Sequence, residues 1–140
     1  MSNRALVVDA NILVRAVLGE RVRAVIGEHA EDVSFFVPEV AYAEAEKHLA
    51  TLVVKRGGDP QKALALLRSL RSLVVLIGRE VYGEAEADAR ERLAARDPDD
   101  WPILASALAL GCPIWTEDTD FFGCGVATWT SDRVLMFLRE

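Results

Sequence analysis

Three carboxylates crowd into four consecutive positions of the chain, at Asp97, Asp99 and Asp100. Like charges at this density repel one another, so a helix N-terminus, a bound cation or both must hold them in place. Asp97 followed by Pro98 is typical of a helix cap, which favours a capping role for Asp97 and a solvated first-turn position for Asp99. Asp100 falls in the first turn of the apolar helix that follows, where Pro102 is tolerated because the backbone N–H is free.

Two further aspartates end apolar runs that are typical of buried strands. Asp9 follows residues 5–8, and Asp118 follows a run at 113–116. Open α/β sheets bind their ligands at the carboxyl ends of parallel strands, so both side chains can face one crevice. Asp9 at the tip of a buried strand needs a partner, and a cation shared with Asp100 and Asp118 would satisfy all three. Mg²⁺ and Mn²⁺ prefer such oxygen ligands, and they can activate water against a phosphodiester.

The helix that begins near Pro38 carries two further acids to consider, Glu44 and Glu46. Glu44 shares a helix face with residues three and four positions away on either side, Val40, Ala41, Lys47 and His48. Helical spacing alone does not choose between the two glutamates. His29 and His48 are isolated in the sequence and receive ordinary surface or core positions.

The elements that must position these acids alternate between strands and helices. Strands are predicted at residues 5–8, 34–37, 73–77, 113–116 and 126–129. Helices are predicted at 11–18, 20–28, 38–56, 59–72, 80–95 and 103–110, with a last helix capped by Ser131. This alternation predicts one α/β domain over residues 1–140, a three-layer α/β/α fold with a mainly parallel sheet of about five strands.

Composition excludes several classes of protein. Half of the residues are hydrophobic and about a quarter charged, as in a globular domain, and no run reaches the ~18 apolar residues of a membrane span. No secretory signal is visible, so we expect a cytoplasmic protein without a membrane partner. Cys112 and Cys124 lack the spacing of a zinc site and are expected to be buried thiols. The net charge of −6 disfavours broad unaided binding of a polyanion, although bound divalent ions would reverse the local field.

The order of these residues resembles that of the PIN domain family, and in particular the toxin nucleases of VapBC-type toxin–antitoxin pairs. The resemblance covers residues 6–129 and rests on four motifs: Asp9 with Asn11, Pro38 with Glu44, Asp100 with Ala105 and Ala107, and the run at 116–121. It implies an Mg²⁺- or Mn²⁺-dependent endoribonuclease whose nucleophile is water. The implied catalytic acids are Asp9, Glu44, Asp100 and Asp118, which favours Glu44 over Glu46.

The resemblance also implies roles for the residues around these acids. Asp9, Asp100 and Asp118 would be the metal ligands, with Asp120 as a fifth candidate acid. Thr116 would orient a carboxylate or a water molecule, and Asn11 would hold the loop after the first strand. The implied partners are an RNA substrate, a cognate antitoxin protein and a second copy of the chain. The apolar helix at 59–72 is either core or a contact surface for such a partner.

Two other functions compete with the nuclease. A PIN-like module could bind RNA or protein without cleaving, but the complete set of acids argues against a degenerate site. A phosphoryl-transfer enzyme on a similar sheet would need a second acid two residues after Asp9, and Asn11 occupies that position.

Overall fold

Five parallel strands form one sheet in the computed structural model, which describes residues 4–139. The strands are β1 (Arg4–Val8), β2 (Val33–Pro38), β3 (Val75–Ile77), β4 (Ile114–Trp115) and β5 (Thr128–Trp129). Their order across the sheet is β3-β2-β1-β4-β5, with every pairing parallel. From β1 the chain adds β2 and then β3 on one side, and it then crosses to the other side of β1 to add β4 and β5. The gap between the carboxyl ends of β1 and β4 is the switch point at which open α/β sheets place a ligand crevice.

Helices cover the sheet as two groups. The described helices are α1 (Ala10–Leu18), α2 (Glu20–His29), α3 (Glu39–Lys55), α4 (Pro60–Ser69), α5 (Arg79–Tyr82), α6 (Glu86–Arg92), α7 (Trp101–Leu110) and α8 (Val134–Leu138). The first four pack mainly among themselves, whereas α5 and α6 pack on α7. The predicted three-layer α/β/α fold with a parallel sheet of about five strands is confirmed.

The core forms around β1 because its apolar run has no polar interruption. Leu6, Val7 and Val8 are completely buried, as expected of a central parallel strand that is covered on both faces. On the neighbouring strands, the rings of Phe35 and Trp115 lie 6.1 Å apart between centroids. The strand that ends at Asp9 is therefore held from both sides, which makes it a rigid support for that carboxylate.

Two predicted helices differ in the structure. The single helix expected at 80–95 is divided into α5, a 3₁₀ turn at Gly83–Ala85, and α6, where Gly83 has the low helix propensity that favours a break. The last helix is not capped by Ser131, because α8 begins only at Val134. The Ser131 hydroxyl instead accepts a hydrogen bond from the Trp115 indole N–H at 3.0 Å.

The region before and within β3 also differs from the prediction. The apolar helix ends at Ser69 and continues as a 3₁₀ turn, Leu70–Ser72. The strand covers Val75–Ile77 rather than 73–77, and it lies at the edge of the sheet with Val75 45% exposed. An edge strand is covered on fewer sides, so an apolar run alone could not distinguish it from a central strand.

The two cysteines are buried thiols, as predicted. Cys112 and Cys124 are free and buried, and burial raises the pKa of the Cys112 thiol to about 11. Among residues 4–139, every helix is too short or too polar to cross a bilayer.

Two glycines, one at a helix end and one inside a helix, test how backbone conformation affects stability. Gly111 ends α7 with φ +65°, and an added Cβ would meet no atom within 4 Å, so Gly111→Ala should cost about 1 kcal/mol through the backbone alone. Gly27 lies inside α2 with equally open space around it, so Gly27→Ala should stabilise by about 0.5–1 kcal/mol. Urea unfolding of both variants should show a lower free energy of unfolding for Gly111→Ala and a higher one for Gly27→Ala. Equal effects would contradict the assignment of Gly111 to the left-handed position.

Candidate functional site

Asp9 lies directly after β1 and caps helix α1. Its side chain is 7% exposed, and three donors surround it. Oδ1 accepts from the Ala10 N–H at 2.7 Å, while Oδ2 accepts from Asn11 Nδ2 at 3.0 Å and from the Thr116 hydroxyl at 2.6 Å. Burial of a carboxylate is costly unless such bonds compensate it. Asp9 is therefore held in one orientation at the switch point of the sheet.

Thr116 connects Asp9 to the loop after β4. Its hydroxyl donates to Asp9 and accepts from the Asp118 backbone N–H at 2.9 Å. The Asp118 carboxylate then caps the short 3₁₀ helix Thr119–Phe121 by accepting from the Asp120 N–H at 2.9 Å. On the other side, Asn11 Oδ1 accepts from the Glu117 N–H at 3.4 Å. Asn11 and Thr116 thus join the loops that carry Asp9 and Asp118.

Asp100 reaches the site from the N-terminus of α7. It is the residue before Trp101 and makes no capping bond with its own side chain. Asp97 caps the preceding 3₁₀ helix Pro98–Asp100, accepting from the Asp99 N–H at 3.1 Å, and Asp99 is exposed. The predicted capping role of Asp97 is confirmed. The Asp100 carboxylate does not cap α7 and instead interacts with the neighbouring acids Asp97, Asp9 and Asp118.

The fourth predicted acid and a histidine come from α3. Asp9, Glu44, Asp100 and Asp118 line one cavity of about 140 Å³, together with Asn11 and His48. Glu44 is exposed on α3, whereas Glu46 lies near Tyr42 and helps to raise the pKa of that phenol, after burial as the main cause. His48 is exposed as expected for an ordinary surface residue, but it also lines the acid cavity. The available sequence signal was its position one helical turn after Glu44.

The charges of these acids act on one another. Burial is the largest cause that raises the pKa of Asp100 to about 7, followed by the negative charges of Asp97, Asp9 and Asp118 and a hydrogen bond with Asp118. Burial also raises the pKa of Asp9, against the opposing hydrogen bonds from Thr116 and Ala10. Carboxylates that resist ionisation together are a mark of a functional site.

The donor set fits a hard divalent cation. One oxygen from each of Asp97, Asp100 and Asp120 can lie within 4.8 Å of the other two, and all three residues are partly buried. Oxygen ligands at this spacing suit Mg²⁺ or Mn²⁺, and a cation would relieve the mutual repulsion at Asp100. Asp97 and Asp120 are therefore candidate ligands beside the predicted set of Asp9, Asp100 and Asp118. Asp120 also has the Arg96 guanidinium 3.9 Å away.

Larger cavities are also present. One of about 470 Å³ shares Glu44 and Asp100 with it and continues along Val40, Trp101 and Pro102. Another, of about 670 Å³, lies between the start of α2 and the loop after β5. Its Glu117 carboxylate already accepts from the Ser131 N–H at 2.6 Å. The small acid cavity is the better candidate for chemistry, because the groups with raised carboxyl pKa values converge there.

Fold and site together define an α/β protein with an acid-lined crevice at the carboxyl edge of its sheet. The family model of the PIN domain matches residues 7–139. The chain therefore belongs to the PIN domain family. Among curated proteins, no sequence matches significantly.

Several solved structures share this fold. VapBC2 from Rickettsia felis, crystallised with a DNA fragment from its promoter, superposes with a TM-score of 0.71 at 14% identity, covering 90% of this chain and 98% of that one. FitAcB from Neisseria gonorrhoeae superposes with a TM-score of 0.64 at 22% identity, covering 90% of this chain and 97% of that one. A toxin–antitoxin complex from Klebsiella pneumoniae gives 0.59 at 18% identity, again covering 90% and 97%. At these identities the likeness establishes the fold.

The raised pKa of Asp100 predicts how stability depends on pH without divalent ions. Between pH 3.8 and about 7, the unfolded carboxyl is ionised while the folded one keeps its proton. The folded state then binds more protons, so this group's contribution to the free energy of unfolding is lost as pH rises through that window. Asp100→Asn removes the contribution, so the variant should gain stability relative to wild type between pH 4 and 7.

Urea unfolding in EDTA across this pH range measures the difference between the two proteins. Other groups change the free energy of unfolding with pH in the opposite direction, such as Glu86, whose pKa is lowered mainly by its hydrogen bond with Arg90. Subtracting the wild-type curve from the variant curve cancels these contributions, because both proteins contain the same groups. Asp99→Asn is the matched control, because this neighbouring carboxylate is exposed, and its difference curve should stay flat. If the difference in free energy of unfolding between Asp100→Asn and wild type also does not change with pH, the raised pKa of Asp100 is contradicted.

Proposed function

We propose that this protein is an endoribonuclease that hydrolyses RNA phosphodiester bonds and uses Mg²⁺ or Mn²⁺ as its cofactor. The observation that carries the proposal is the convergence of Asp9, Glu44, Asp100 and Asp118 on one cavity from four separate parts of the chain. The PIN family match supports a nuclease. The neighbouring carboxylate oxygens of Asp97, Asp100 and Asp120 support a hard cation close to Asp100. RNA is the substrate that the resemblance to VapBC-type toxins implies.

Each acid has a distinct part in this proposal. Asp9, Asp100 and Asp118 would hold the cation, and Thr116 would keep the Asp9 carboxylate in place for it. The bound ion would supply activation of a water molecule and neutralisation of the phosphoryl charge. Glu44 is exposed on α3 and is free to orient that water or to take a proton from it.

The partners belong to the same proposal. We propose that a cognate antitoxin protein binds this chain, because the similar Klebsiella pneumoniae structure is a toxin–antitoxin complex. The proposal that two copies of the chain form a dimer rests on the resemblance to VapBC-type toxins. The helix predicted as core or contact surface serves in part as core, since Leu67 and Leu70 are buried. Leu64 and Leu66 are partly buried and pack against the same core, so the structure favours the core role for this helix.

Metal binding should be visible as thermal stabilisation. At 100 times its Kd, Mn²⁺ adds about 2.7 kcal/mol, which for a chain of this size raises Tm by about 5–10 °C. The rise should be larger at pH 8 than at pH 5, because protons compete with the ion for Asp100. Asp100→Asn should reduce the rise while Asp99→Asn keeps it. An equal rise with KCl at matched ionic strength would contradict a specific site.

Cleavage of RNA tests the function itself. Wild-type protein with Mn²⁺ should cut a mixed RNA pool, and EDTA should stop the reaction. Asp100→Asn should lower the rate by at least about 100-fold, the usual scale for loss of a group that supports transition-state charge. Gel analysis of the products measures both effects.

The neighbouring Asp99→Asn variant serves as the control and should cut at nearly the wild-type rate, since Asp99 is exposed and lies outside the 140 Å³ cavity. Cleavage that survives EDTA or Asp100→Asn would overturn the assigned mechanism. RNA binding without any cleavage would make this chain a non-cleaving RNA-binding module instead.

A further inference from the structure

His48 stands at the opening of the acid cavity. It lies on α3 one helical turn after Glu44, and it lines the same 140 Å³ space as Asp9, Asp100 and Asp118. Its side chain is exposed, so the imidazole borders both the cavity and solvent. A ligand that enters the cavity from solvent on this side must pass the ring.

The other neutral polar groups of the cavity are already engaged. The Asn11 amide donates to Asp9 Oδ2 and accepts from the Glu117 N–H, and the Ala10 N–H donates to Asp9 Oδ1. Within residues 4–139, by contrast, the His48 ring has no hydrogen-bond partner. His29, the second histidine, has its Nδ1 2.9 Å from the Val25 carbonyl oxygen. His48 is therefore the uncommitted imidazole at the site.

We propose that His48 donates a hydrogen bond to a non-bridging oxygen of the phosphate at the scissile bond. The inference rests on the proposed nuclease function and adds a substrate-binding residue to it. A phosphodiester that approaches a cavity lined by carboxylates meets negative charge, and a donor at the opening would offset part of that repulsion. The imidazole carries at least one N–H in either protonation state, so it can serve at any working pH. Bonds from such donors to an anion are among the stronger hydrogen bonds of proteins.

Steady-state cleavage of one defined RNA oligonucleotide with Mn²⁺ tests this contact. His48→Ala should raise KM about tenfold and leave kcat within about threefold, because a bond made equally in the ground and transition states affects binding alone. His48→Gln keeps an N–H donor and should recover most of the loss. His29→Ala should behave as wild type, and Lys47→Ala removes an exposed cation of the same helix that does not line the cavity.

Several results would overturn the proposal. KM of His48→Ala within about twofold of wild type would show that the ring does not bind substrate, and an equal rise in Lys47→Ala would show a general charge effect. Loss of the Mn²⁺-induced rise in Tm would place His48 on the ion rather than on RNA. If wild type binds RNA in Mn²⁺ without cutting it, fluorescence anisotropy separates the two proposals. Weaker binding by His48→Ala would then support the contact while the nuclease function fails, and unchanged binding would reject both.

Discussion

The buried carboxylate of Asp9 is the interaction on which the site depends. It follows β1, caps α1 and accepts a hydrogen bond from the Thr116 hydroxyl beyond β4, so it joins the start of the chain to a segment more than one hundred residues away. Thr116 passes this constraint on, because the same hydroxyl accepts the Asp118 N–H. A neutral apolar residue at position 9 would leave these donors buried without partners. One carboxylate therefore fixes both the helix that follows it and the loop that carries a second acid.

The same arrangement opposes the stability of the fold. Burial raises the pKa values of Asp9 and Asp100, which means that the folded protein holds carboxylates where they do not readily ionise. The parallel sheet concentrates them, since the carboxyl ends of β1 and β4 meet at one edge. The start of α7 adds a partial positive charge that offsets some of the repulsion. The proposed cation would offset this cost, because carboxylate oxygens are the ligands that hard divalent cations prefer.

Much of this fold follows from short-range patterns, and the exceptions have physical causes. The apolar run before Asp9, the cap at Asp97 and the stop at Gly111 act locally, so the sequence predicts them. Ser131 fails as a cap because its hydroxyl bonds an indole sixteen residues away, and only the packed structure shows that. The position of His48 at the acid cavity likewise depends on how α3 packs, because helical spacing relates it to Glu44 but not to Asp9. Local propensity predicts elements, whereas side chains that cross between elements depend on packing.

The divided region of α5 and α6 also has a part in the site. Trp101, the residue next to Asp100, is buried with the guanidinium groups of Arg79 and Arg90 over its ring, 5.0 and 5.2 Å from the centroid. Both arginines bond Glu86, so one carboxylate holds the two cations against the indole. Arg79 belongs to α5 and Arg90 to α6, so both short helices contact the first residue of α7. These contacts support the backbone that presents Asp100 to the cavity.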